Sequence, residues 1–238
     1  MVENIKKMVP NLVREFNEKQ KDDFRKIVPT IVRKGIDSIN LSMFNDEMRN
    51  ALLNAAGEEF VKRGRMTEAI KSFTLSKNKQ KLIDVGDNYR EMGLYGNAIE
   101  TYKLADSPEK LKEIGDFCLA QERKGDAIRA FSLINDPTRL AKIGEECIKK
   151  EKYDFAVEVF SQLNDGNKLA HIGDLCVEAR QYAYAAKAYE LAKDKERLTR
   201  LGDICLKEGL LGSAFKLYEL AENKMMVDFL KENFPDQI

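Results

Sequence analysis

The sequence predicts an all-α protein, an α-solenoid of six 29-residue helical hairpins with capping helices at its N- and C-terminal ends. Three observations carry this. Glycine recurs every 29 residues, at Gly57, Gly86, Gly115, Gly144, Gly173 and Gly202. A fixed pattern surrounds each one: leucine four before, an acid one after, alanine twelve after and an aromatic sixteen after. The chain of 238 residues is also 43% hydrophobic and 34% charged, a balance that fits a folded protein and excludes disordered and membrane-spanning classes. A repeat of this length is one supersecondary unit that buries its apolar face only by stacking on its neighbours.

The first 44 residues do not follow the template and are read as a separate element, residues 1–44. They hold their own duplication at an offset of 19: Ile5 to Pro10 with Leu12 to Arg14, then Phe24 to Pro29 with Ile31 to Arg33. Val2, Ile5, Val9, Leu12 and Phe16 alternate spacings of three and four, which puts one apolar seam on a helix with Lys6, Lys7 and Arg14 off it. Pro10 and Pro29 are expected to kink or interrupt these helices. Two readings stand: a cap on the first hairpin, or a basic amphipathic arm for self-association or partner docking.

Residues 45–226 form the repeats. In each first helix the leucine, an apolar residue, the glycine and a Cys, Tyr or Phe are spaced 3, 1 and 3, a single helical face. Ser107-Pro108 and Asp136-Pro137 mark helix starts, with a capping side chain before a proline at the first helical position, and Asn78, Asp165 and Asp194 hold the equivalent place. The second helix carries the alanine and the aromatic four residues later, such as Ala127 and Phe131. Residues 227–238 read as a C-terminal capping helix, because Val227 and Leu230 continue the pattern while Lys231 replaces the glycine and Pro235 follows.

The run Leu82, Val85, Gly86, Tyr89, Ala98, Tyr102, Ala105 resembles the tetratricopeptide repeat, whose units are about 34 residues long. The spacing within the hairpin matches, but the link to the next unit is shorter, as in the solenoids of coat and ciliary-transport complexes. The resemblance implies a protein-binding scaffold and no particular partner.

Chemistry is sparse. Cys118, Cys147, Cys176 and Cys205 stand at equivalent repeat positions, about one helix-packing distance apart or more, too far for a disulfide or a zinc site, and read as buried hydrophobes. His171, the single histidine, reads as a surface residue. No nucleophile elbow, phosphate loop or dinucleotide fingerprint is present, so the chain is expected to be non-enzymatic, with no catalytic, cofactor or metal site. With 40 basic and 40 acidic residues, the formal charge of zero argues against nucleic acid as a partner. Lys81, Lys110, Arg139, Lys168 and Arg197 recur one residue before each leucine, but each has acidic neighbours in its unit.

The acid after each glycine points off the buried face, toward a groove if the family resemblance holds. In the fourth unit Lys142 and Lys149 flank Glu145 at helical spacing and neutralise it. Asp84, Asp87, Glu91, Glu113 and Asp116 of the second and third units have no such partners, and are the expected contacts for a basic peptide or helix of a partner protein. An adapter is therefore expected; the alternative is a structural subunit of a coat-like assembly. The absence of a long apolar run or secretory leader places the protein in the cytoplasm, without a transmembrane segment.

Overall fold

The computed structural model describes residues 27–38, 41, 44–235 and 237. Those residues form helices and turns without a strand, so the fold is all-α, hairpin stacked on hairpin in the α-solenoid class. The chain divides into two compact units, Met1–Ile114 and Gly115–Ile238.

The first unit holds α1 (27–34), a 3-10 turn (Ile36–Ser38), α2 (Asp46–Lys62), α3 (Met66–Leu75), α4 (Lys79–Glu91), α5 (Tyr95–Leu104) and the start of α6 (Pro108–Ala120). Helix α2 packs on α3 and α4 on α5, and the hairpins join through α3 and α4. Ile31, Val32 and Ile36 are buried, Arg65 Nη1 donates to the Val32 carbonyl at 2.6 Å, and Lys71 meets Asp37 at 2.5 Å. The described part of the second copy of the N-terminal duplication, from residue 27, is thus held to the first hairpin, with Pro29 inside α1. The first copy, including its apolar seam and Pro10, lies outside the described residues.

The second unit contains the rest of α6, then α7 (Lys124–Leu133), α8 (Pro137–Lys149), α9 (Tyr153–Gln162), α10 (Gly166–Glu178), α11 (Tyr182–Ala192), α12 (Lys195–Lys207), α13 (Leu211–Leu220) and α14 (Lys224–Asn233). Helix pairs α8 with α9, α10 with α11 and α12 with α13 are the hairpins, and α9 with α10 and α11 with α12 join them.

The recurring glycine exists because a ring occupies the place of its Cβ. A Cβ on Gly115 would stand 2.8 Å from the Phe131 ring, and on Gly144 or Gly202 2.7 Å from Phe160 or Tyr218. Gly57, Gly86 and Gly173 meet Phe73, Tyr102 and Tyr189 in the same way. Close approach buries each aromatic almost completely, and rings of this size supply much of the apolar area removed from water. The four cysteines are free and buried, and burial pushes the Cys118 and Cys176 thiols up to about 11.

The first helices are capped as the sequence suggests: Asn78, Ser107, Asp136, Asp165 and Asp194 accept from the backbone N–H three residues on, and Asn45 and Asn223 do the same at α2 and α14. The turns between paired helices pass through a left-handed residue, which is Gly64, Gly93 or Gly209 in three hairpins and Glu122, Glu151 or Arg180 in the others.

Candidate protein-docking faces

Of the five acids singled out from the sequence, Asp84, Asp87, Glu91 and Glu113 lie in the first unit and Asp116 in the second. Three of them, Asp87, Glu113 and Asp116, depart from the expectation of uncompensated charge. Asp87 accepts a hydrogen bond from Tyr102 Oη at 2.7 Å and pairs with Lys110 at 3.1 Å. Asp116 pairs with Arg139 at 3.1 Å. Lys110 also approaches Glu113 at 3.5 Å, so it brings Asp87 and Glu113 together. Exposed Asp84 accepts from the Gln80 side-chain amide at 3.1 Å, and exposed Glu91 has no hydrogen-bond or ion-pair partner among the described residues.

The same link recurs. Lys81 meets Glu58 at 2.8 Å in the first unit, while Lys168 meets Glu145 at 2.6 Å and Arg197 meets Asp174 at 3.0 Å in the second. The acid after each of the first five glycines is therefore neutralised by the cation 23 residues on, at the third position of the next first helix, and Glu145 takes Lys168 in place of Lys142 or Lys149. Where the repeat aromatic is tyrosine, it adds a second bond: Tyr189 Oη donates to Asp174 at 2.8 Å and Tyr218 Oη to Asp203 at 2.7 Å. Burial would raise the Asp87 carboxyl, but Tyr102 and Lys110 outweigh it and hold the group below the ordinary carboxylate range. Burial, then the bonded carboxylate, pushes Tyr102, Tyr189 and Tyr218 far above a free phenol. Hydrogen bonds to Asp194 and Asp174 likewise raise Arg197, which ties its own helix cap to the preceding hairpin.

These contacts absorb Asp87, Glu113 and Asp116, and leave Asp84 and Glu91 without an ion pair among the described residues. An apolar feature of the surface is also periodic. Eighteen residues after the glycine, near the end of each second helix, stand Leu75 and Leu104 in the first unit, 50% and 48% exposed. In the second unit the position holds half-buried Leu133, then Gln162, then Leu191 and Leu220 at 39% and 43% exposure. Sequence periodicity could not separate these leucines from core ones, because both obey helical spacing. An open pocket of about 380 Å³ in the second unit is lined by residues including Lys124, Tyr153, Phe155 and Tyr184, and contains none of the five acids. His171 is exposed.

No protein-family model matches the chain, and no curated protein aligns with it significantly.

Proposed function

We propose that the protein is a non-enzymatic scaffold or adapter that binds a peptide or helix of a partner protein along its helical repeat. The observation that carries this reading is the leucine eighteen residues after the glycine, which the repeat retains in five of six hairpins and leaves 39–50% exposed in four of them. A side chain that the core does not need, held at one register position of the hairpins within a unit, as at Leu75 and Leu104, is an anchor row. Asp84 and Glu91, exposed in the same unit as Leu75 and Leu104 and without an ion pair among the described residues, are the acidic contacts this reading retains. The tetratricopeptide-like spacing supports this reading, and the engagement of the recurring cations by carboxylates supports a protein partner over nucleic acid.

No helix among the described residues is long and apolar enough to cross a membrane; a cytoplasmic location is part of the proposal and does not rest on that. The test is affinity isolation on the full-length chain, identification of the captured protein and titration against Leu75→Glu/Leu104→Glu. A loss of about tenfold or more supports the anchor row; unchanged affinity for every identified partner removes it. The alternative is a structural subunit of a larger multiprotein assembly. It draws on the ion pairs that fasten each hairpin to the next within a unit, and a defined oligomer held through residues 1–44, seen by light scattering, would favour it.

A further inference from the structure

Helix α14 breaks the surface rule of the repeat. In hairpins two to six, the positions six and two residues before the glycine are polar and exposed, as in Gln80 with Asp84 and Glu196 with Arg200. In α14 the glycine position is Lys231, and the same two positions are Met225 and Phe229, 75% and 45% exposed. They stand four residues apart on one helical face. The core does not require them, since Leu230 is the residue α14 buries. Phe234 meets the Phe229 ring edge-on at 6.3 Å, and the Lys231 ammonium lies 5.5 Å from the centre of the Phe215 ring, so both flanks of this face are packed.

The charge around it is also unlike the other hairpins. Asp203 is the sixth acid of the ladder, and 23 residues on, where the other five acids find Lys or Arg, stands Met226. Tyr218 donates to Asp203, but no cation pairs with it among the described residues. Asp228 and Glu232, both exposed on α14, form no ion pair there either. The face thus joins two exposed apolar side chains to three carboxylates that form no ion pair among the described residues, although Lys224 and Lys231 lie on α14.

We propose that the Met225 and Phe229 face of α14 docks a basic amphipathic helix of a partner protein, whose apolar stripe covers these two residues and whose Lys or Arg takes the rung at Asp203. This rests on the scaffold reading above. A helix is the fitting occupant because anchors spaced i, i+4 on one helix engage the ridges of another. Basic charge is fitting because it supplies what Met226 does not.

The test selects, on the full-length chain, from a displayed library of amphipathic helices of about five turns, with the polar positions free to be acidic, basic or neutral. Enriched helices are then titrated against the chain and against Met225→Gln/Phe229→Asp, which restores the polar pattern of the other hairpins. Enriched helices carry net positive charge, bind the double variant at least about tenfold more weakly and Asp203→Asn about three- to tenfold more weakly. Circular dichroism confirms that the variants fold; if the double variant does not, Met225→Gln alone, at the more exposed residue, carries the comparison. Enrichment of acidic helices, or equal affinity for the folded variant, overturns this face while binding itself still supports the scaffold. Failure to enrich any helix, with no partner lost from the Leu75 and Leu104 variant, overturns both. A dimer by light scattering that the double variant dissolves would make a second copy the occupant. Tighter binding after deletion of residues 1–26 would assign the face to the chain's own N-terminal segment, and either result overturns the partner-helix proposal.

Discussion

Asp87 and Lys110 meet at 3.1 Å although they belong to successive hairpins, and the Tyr102 hydroxyl closes on the same carboxylate from within the first of them. One acid therefore ties its hairpin's own two helices together and fastens them to the helix that follows. Both charged side chains retain about a quarter to a third of their exposure, so solvent screens the pair. A double-mutant cycle with Asp87→Asn and Lys110→Met should give a coupling of about 0.5–1 kcal/mol by denaturant unfolding, falling with added salt. A coupling of zero would make the contact incidental.

Gly144→Ala places a methyl 2.7 Å from the Phe160 ring, with Val159 also in contact, in a position the buried ring cannot vacate. The expected loss is about 1–3 kcal/mol, read from the urea midpoint. The pair Gly144→Ala/Phe160→Leu should recover part of that loss.

Glu151 holds a left-handed backbone, φ 55°, at a turn where Gly64, Gly93 and Gly209 serve in other hairpins. Relief of the side-chain penalty exceeds the added entropy of an unfolded glycine, so Glu151→Gly should stabilise by about 0.5–1 kcal/mol. Thermal unfolding of the full chain reads the sign.

Met226→Arg offers Asp203 the cation its five counterparts have. Stability should rise by about 0.2–1 kcal/mol, and the rise should vanish in Asp203→Asn. The same substitution should weaken binding of a basic helix at α14.

Tyr102, Tyr189 and Tyr218 have phenols raised above their unfolded value by burial and by the carboxylates they bond. Their contribution is present in full below the unfolded pKa of about 10 and is lost as pH rises beyond it. In an alkaline titration followed by tyrosinate absorbance, these three of the eight tyrosines should ionise together with unfolding. Replacing all three by Phe, the residue other hairpins use, should move alkaline unfolding upward relative to neutral stability.

The hairpin and its period were legible because sterics leave them no freedom: Gly144 must be small where Phe160 is large, and the pair repeats at one spacing. The acid at Glu145 was visible too, but its partner was not. Helical periodicity points to Lys142 and Lys149, whereas the distance that matters is set by how one hairpin stacks on the next, and it selects Lys168. The turn at Glu151 was hidden for another reason, since a glutamate in a left-handed turn carries no signature of its own. Met225 and Phe229 keep the spacing of core residues, and only comparison with exposed Gln80 and Asp84 at the same register marks them as a surface.

The 23-residue reach of the ion pairs, set against the 29-residue period, makes the second unit editable. Excision of residues 137–165 joins Asp136 to Gly166, so Asp136 would cap the helix that Asp165 now caps, and Lys168 would arrive where Arg139 had faced Asp116. The new junction then meets a cation for Asp116 and an aspartate cap for the helix that follows, as the old one did. Such a chain can lose or gain a hairpin by recombination between its own repeats without designing a new joint, and the length of the array becomes a property that selection can tune in whole steps.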